Sequence, residues 1–168
     1  MAIDTARDLF IYELGVLAEM ETSGLRLLDF LAHRVNDNDL RQIVRNQQQD
    51  CARWEENING CAEAIGTALA PTRSQIVDGI YGRFEAFVRT NSSSNMVDQF
   101  AVDTLIQFSY LTIAAHKTVF DRAVRMGEDQ CVQCLYTNLV QKQEDVAKIE
   151  RYGHELGMRL LAPVARSA

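Results

Sequence analysis

The sequence is poor in the residues that break helices. Two prolines and nine glycines in 168 residues leave long stretches in which a helix can run. Strand signals are also missing: no run reads as a β-strand, and no internal repeat stands out beyond a general pairing of hairpins. Basic charge is scarce. Seventeen Lys and Arg face 23 Asp and Glu, a net charge of −6 and a pI near 5.1. With no basic stripe to neutralise phosphates, the composition argues against nucleic acid and against an acidic membrane surface. No stretch is long and apolar enough to span a bilayer. Asp4, Arg7 and Asp8 interrupt any early apolar run, so no signal peptide is legible and a cytoplasmic location is expected.

Enough apolar sequence remains for one core. At 47% apolar and 24% charged, residues 1–168 suit a single globular domain. Cysteine is limited to Cys51, Cys61, Cys131 and Cys134. Cys131-x-x-Cys134 has a spacing used for zinc or redox chemistry, but no second ligand pair follows at zinc-finger distance. Buried or half-buried free thiols are the expectation in a cytosolic protein.

Apolar residues recur at spacings of three and four over four long segments. Residues 5–33 carry Phe10, Leu14, Leu17, Glu21, Leu28 and Leu31 on one stripe, with Asp4 or Thr5 as cap. Glu13 and Glu19 read as flanking carboxylates. Residues 38–68 carry Leu40, Val44, Gln47, Asp50 or Cys51, Trp54, Ile58 and Ile65. Residues 96–126 carry Leu105, Phe108, Thr112 or Leu111, Ala115 and Val119, and stop at Gly127. Residues 129–161 carry Leu135, Leu139, Lys142, Val146, Ile149 and Leu156, with Pro163 as terminator and Ala165–Ala168 as a frayed tail. Between the two pairs, Ala70-Pro71-Thr72 marks a break. A shorter helix over about 75–90, capped by Thr72 or Ser74, then leads to the polar loop Asn91–Asn95. Two short-looped helix pairs joined by a long connection predict an all-α, ferritin-like four-helix bundle whose crossover carries a short extra helix.

Glu21, Gln47 with Asp50, Thr112 and Lys142 stand near the middle of the four stripes, where apolar residues are expected. Burying polar groups without partners costs a few kcal/mol each, roughly, so the layer predicts either a site or the remains of one. A ferritin-like di-metal centre takes a Glu from each of two helices and Glu-x-x-His from the other two. Here Glu21 and Asp50 are carboxylates, Gln47 stands where a His belongs, Thr112 brings no charge and Lys142 brings the wrong sign.

At these residues the chain resembles the ferritin-like bacterial stress proteins of the YciE/YciF type. The run from Asp8-Leu9-Phe10-Ile11 to Glu21 is similar to that family's first helix, whose Tyr-x-Ala-Glu falls on Ala18–Glu21. The family's His-Leu-Glu-Glu falls on Gln47-Gln48-Gln49-Asp50, and its Met-Glu-Gly-Leu on Val77-Asp78-Gly79-Ile80. Its Glu-His-Tyr-Glu falls on Ser109-Tyr110-Leu111-Thr112, and its last Glu-rich run on Val140-Gln141-Lys142-Gln143. The resemblance implies the fold, a homodimer built by helix packing and a stress-linked role. It retains Glu21, changes one ligand position to Asp50, and lacks the His and the carboxylates at Ser109, Thr112, Gln141 and Lys142.

The favoured reading is a degenerate site without cofactor. Lys142 pairs with Glu21 and Asp50, while Gln47, Thr112 and Tyr110 complete the hydrogen bonds. The protein then acts as a non-catalytic, dimeric structural or interaction protein. Two alternatives stay open. One is a di-iron or di-manganese oxidoreductase or metal-binding protein with ligands Glu21, Asp50 and Glu144; the other is a small-molecule binding module using the vacated site. No Ser/His/Asp arrangement or phosphate loop is present, and His33 and His154 have no ligand pattern around them, while His116 stands one turn beyond Thr112, within reach of the site's edge. Ile11, Tyr12, Phe30, Phe84 and Phe120 serve equally as a dimer surface or as packing against the crossover.

Overall fold

The computed structural model describes residues 3–69, 73–90 and 93–161. Five helices follow in order: α1 (Ala6–Arg34), α2 (Asn38–Ala64), α3 (Gln75–Arg89), α4 (Ser94–Met126) and α5 (Asp129–Leu161). Among the described residues no strand occurs. The Ala70–Thr72 break, the first two residues of the Asn91–Asn95 loop, Pro163 and the tail lie outside the described residues.

Local chemistry fixes the helix ends. Thr5 and Asp8 form a capping box at α1, each side chain accepting from the other's backbone N–H. Asp37, Ser74 and Ser93 accept from the first-turn amides of α2, α3 and α4. The start of α4 at Ser94, two residues earlier than expected, follows from the Ser93 cap. The sequence periodicity carries the second helix to residue 68, but α2 ends at Ala64. Gly66 adopts φ 72°, its N–H bonds Glu63 O, and Thr67 N–H bonds Ala62 O. This pair of bonds stops the helix as a Schellman motif. Gly127 (φ 70°) and Glu128 repeat it at the end of α4.

Helices α1 and α2 form one hairpin and α4 and α5 the other, and α2 packs on α5 while α1 packs on α4. Buried Asp98, near the start of α4, accepts from the backbone N–H of Asn36 and Asp37 in the α1–α2 turn. Cys61, near the end of α2, meets Cys131, near the start of α5. So α1 runs antiparallel to α2 and α4 and parallel to α5. That order requires a crossover the length of the bundle, and α3 lies on it, packed against α1 and α4. This is the ferritin-like arrangement.

The core has two main apolar clusters. One gathers Leu27, Leu31, Leu40, Val44, Phe84, Leu105 and Phe108; the other gathers Phe10, Leu14, Ile58, Val119 and Leu135. Phe84, weighed above as a dimer-surface residue, is fully buried, because α3 turns it onto Phe30 and Phe100. Ile11, Phe30 and Phe120 are half-buried against the core, and Tyr12 alone of that group is exposed.

Gly24 lets the ring of Phe108 approach α1 closely. A Cβ there would lie 2.3 Å from Phe108 Cζ. Gly24→Ala is therefore expected to lower stability by about 1–2 kcal/mol despite the better helix propensity of Ala. Gly60→Ala, where nothing lies within 4 Å of the new Cβ, is expected to raise it by about 0.5–1 kcal/mol. Urea denaturation of both variants checks the pair. Equal effects would show that Phe108 yields without cost.

Candidate functional site

Between the two apolar clusters the four helices close on a polar layer. Glu21, Thr112 and His116 have no exposed surface, Lys142 retains 3%, and Gln47 and Ser109 are also buried. Lys142 Nζ lies 2.8 Å from Glu21 Oε1, a contact made by charge rather than along a directed hydrogen bond. Its directed bond goes to Thr112 Oγ1 at 3.3 Å. The same ammonium sits 3.5 Å from the centre of the Trp54 ring, so an aromatic face completes its surroundings. Trp54 is held in turn. Its indole N–H donates to Gln141 Oε1 at 3.4 Å, and its carbonyl accepts from Asn138.

The other oxygen of Glu21 accepts from the Cys51 thiol at 3.0 Å. Burial, with the Glu21 carboxylate beside it, pushes the Cys51 thiol well above the usual thiol range, so it remains S–H and donates. His116 Nδ1 stands 2.9 Å from Thr112 O and 3.9 Å from Glu21 Oε1. A carbonyl can only accept, so Nδ1 carries the proton. Nε2 is left buried without a partner. Burial, helped by the Lys142 charge, pushes the His116 pKa down to about 4, which leaves the ring neutral at pH 7. Gln47 Nε2 donates to Ser109 Oγ at 3.0 Å, and Thr112 Oγ1 donates to Ser109 O at 3.1 Å.

Two residues expected in the layer are elsewhere. Asp50 lies on the rim, its side chain 15% exposed, and pairs with Arg53 one turn along rather than with Lys142. The inward face of α2 is Gln47, Cys51, Trp54 and Ile58. At about 100° per residue, Asp50 points to one side of that face and Cys51 points in. Tyr110 is 49% exposed and donates to Glu150 across the α4–α5 seam. Cys51 and Trp54 stood on the α2 stripe without being read into the layer, and His116, expected at the edge of the site, lies within it. The signal for Cys51 and Trp54 was the +4, +7 spacing from Gln47.

The layer does not fit the di-metal centre that the fold family implies. It offers one carboxylate, a protonated thiol, a carboxamide, two hydroxyls and an imidazole whose nearer nitrogen is a donor. A side-chain cation already lies against the carboxylate. Two divalent ions need several anionic ligands. The alternative set Glu21, Asp50 and Glu144 is not gathered either, since Glu144 is exposed on α5 and Asp50 faces Arg53. Among the described residues no group of three or more His, Cys, Asp or Glu could hold a metal ion. All four cysteines are free: Cys51, Cys61 and Cys131 are buried and Cys134 half-buried.

Fold and layer together define a ferritin-like bundle with a lysine in its carboxylate layer. The chain belongs to the family described as "Domain of unknown function (DUF892)", which it matches over residues 5–159. Among solved structures it is similar to the Escherichia coli stress protein YciF, with a TM-score of 0.86 at 16% identity, covering 91% of this chain and 97% of that one. It is also similar to YcfI, a candidate structural protein from Rhodopseudomonas palustris, with a TM-score of 0.83 at 19% identity, covering 88% and 94%. A third is a protein from Xanthomonas campestris, with a TM-score of 0.77 at 16% identity, covering 94% and 97%. No curated protein matches the chain in sequence. At these identities the likeness is one of fold, and it agrees with the YciE/YciF-type resemblance read from the residues. Among the described residues no helix is long and apolar enough to cross a membrane.

Proposed function

We propose that this chain is a non-catalytic member of its family, a cytoplasmic, dimeric structural or interaction protein linked to bacterial stress, in which a side-chain ammonium replaces the metal centre. The observation that carries the reading is the contact of Lys142 with Glu21 at 2.8 Å, closed over by Trp54. A fixed internal cation offsets the buried carboxylate, and the layer then acts through helix register rather than through chemistry. The dimer is supported by exposed apolar side chains on the long helices, Tyr12 on α1, Val124 on α4 and Met158 on α5. The stress link rests on the fold shared with YciF.

Elemental analysis of protein purified without chelators tests the site. We expect iron and manganese far below one equivalent per chain. Near-stoichiometric amounts of either would overturn the reading. Light scattering coupled to gel filtration tests assembly, and a monomer at micromolar concentration would remove the dimer.

A further inference from the structure

A second group of reactive side chains lies at the end of the bundle remote from the α1–α2 turn. Three of the four cysteines meet there, Cys61 near the end of α2 and Cys131 and Cys134 in the first turns of α5. The Cys131 thiol donates to Cys61 O at 3.5 Å and the Cys61 thiol to Cys131 O at 3.8 Å, so the two backbones come close at this level. The register of the seam sets Cys134 opposite Cys61. Helices α2 and α5 are antiparallel, and Trp54 bonds Gln141 at 3.4 Å while Asn57 bonds Asn138 at 2.7 Å. From Trp54 to Asn57 to Cys61 the chain advances by three and then four residues. From Gln141 to Asn138 to Cys134 it retreats by the same steps. Cys61 and Cys134 are therefore the next opposed pair, and both pack in the same apolar cluster.

Their surroundings separate the three thiols. Burial, with Cys131 and Cys134 beside it, pushes the Cys61 thiol up, and burial does the same to Cys131. The thiolate, not the thiol, attacks an oxidant, so neither of these leads. Both also lack exposed surface, whereas Cys134 is half-buried. A small oxidant reaches Cys134 first. Spacing then sets the partner. Residues three apart on one helix have Cβ atoms about 5–6 Å apart, while a disulfide needs about 3.5–4.5 Å. Cys131 can join Cys134 only if the first turns of α5 unwind. Cys61, across the seam, needs no unwinding.

We propose that Cys134 and Cys61 are a modification site for hydroperoxides, an oxidisable pair that closes a disulfide between α2 and α5. The Cys134 sulfur attacks the peroxide and the O–O bond breaks. Cys134 becomes a sulfenic acid, and its thiol proton leaves with the alkoxide as an alcohol, or as water from hydrogen peroxide. The Cys61 sulfur then displaces the hydroxyl, which departs as water with the Cys61 proton. The two sulfurs give up two electrons and the peroxide takes them. Two thiols and one hydroperoxide yield one disulfide, one alcohol and one water. The bond ties the two hairpins together at the end opposite the contacts of Asp98 with the α1–α2 turn. Along the chain those hairpins are joined only through the crossover. A thiol reductant reverses the link, as it does the transient disulfides of reducing compartments. The site needs neither Lys142 nor Glu21, so it is independent of the reading given for the core layer.

The test exposes the intact, reduced protein to millimolar hydrogen peroxide, titrates thiols in denaturant and maps the peptides by mass spectrometry. The free-thiol count is expected to fall from four to two per chain, with the Cys61 and Cys134 peptides linked and the chain still single on a non-reducing denaturing gel. Dithiothreitol is expected to restore all four thiols. Cys134→Ala should abolish the loss. Cys61→Ala should leave Cys134 as a sulfenic acid that dimedone traps, and Cys131→Ala should leave the link intact. Cys134 is half-buried, so its variant keeps the test decisive if a buried variant fails to fold. Four thiols surviving in the wild type, a link between any other pair, or an undiminished loss in Cys134→Ala would each overturn the proposal.

Discussion

Lys142→Met is expected to destabilise the protein by about 3–5 kcal/mol, the usual cost of leaving one half of a buried ion pair without the other. Glu21 has no exposed surface, so water cannot replace the lost cation. Cys51 still donates to one carboxylate oxygen, but a thiol is a weak donor. The same change removes the cation over Trp54, a further contact of about 0.5–2 kcal/mol. Urea denaturation followed by Trp54 fluorescence measures the loss. The double variant Glu21→Gln/Lys142→Met is expected to recover most of it, because replacing both charges by neutral groups removes the desolvation problem with the attraction. Additive single effects would show that the two side chains do not act as a pair. A loss below about 1 kcal/mol for Lys142→Met would place Lys142 outside the buried layer.

His116 should make the protein acid-sensitive. Its folded pKa of about 4 is below the 6.5 of a free imidazole, so between those values the unfolded chain binds a proton that the folded chain refuses. Stability therefore holds above pH 6.5 and falls as pH drops towards 4, by about 3 kcal/mol from this group. The sign follows from the surroundings. Burial is the largest cause, Lys142 repels the added charge, and Glu21 attracts it too weakly to reverse the shift. His116→Gln removes the titration. The difference in unfolding free energy between wild type and variant should narrow by about that amount from pH 6.5 to 4, since the carboxylates titrate in both proteins. A constant difference across the range would mean that the ring is solvated.

The fold was legible because its signals are local and repeated. Long segments with apolar residues every three or four positions, few breakers between them, and cap residues such as Thr5 and Ser74 define helices regardless of what they pack against. The one boundary that moved by several residues was the end of α2, where Gly66 takes a left-handed φ directly after the last apolar residue of the stripe, Ile65. The layer was legible at lower precision. Polar residues on apolar stripes located its depth at Glu21, Gln47, Thr112 and Lys142. One residue of helical rotation separates Asp50 from Cys51, and periodicity alone does not choose between neighbours that flank a stripe. Charge favoured Asp50 as a partner for Lys142, yet the structure turns Cys51 inward and leaves Asp50 to Arg53.

By itself, then, the sequence determined how many helices there are, where most of them begin and end, how they connect, and which level of the bundle is polar. These follow from backbone propensity, capping and the apolar period, which need no knowledge of the neighbours. Only the tertiary structure decided who touches whom within that level. The partners of Glu21 come from α2 and α5. The ring that covers Lys142 comes from α2, and the proton position on His116 is fixed by a carbonyl of its own helix in a cavity sealed by the others. Those choices depend on the relative rotation of four packed helices, a degree of freedom set by side-chain packing across the whole core.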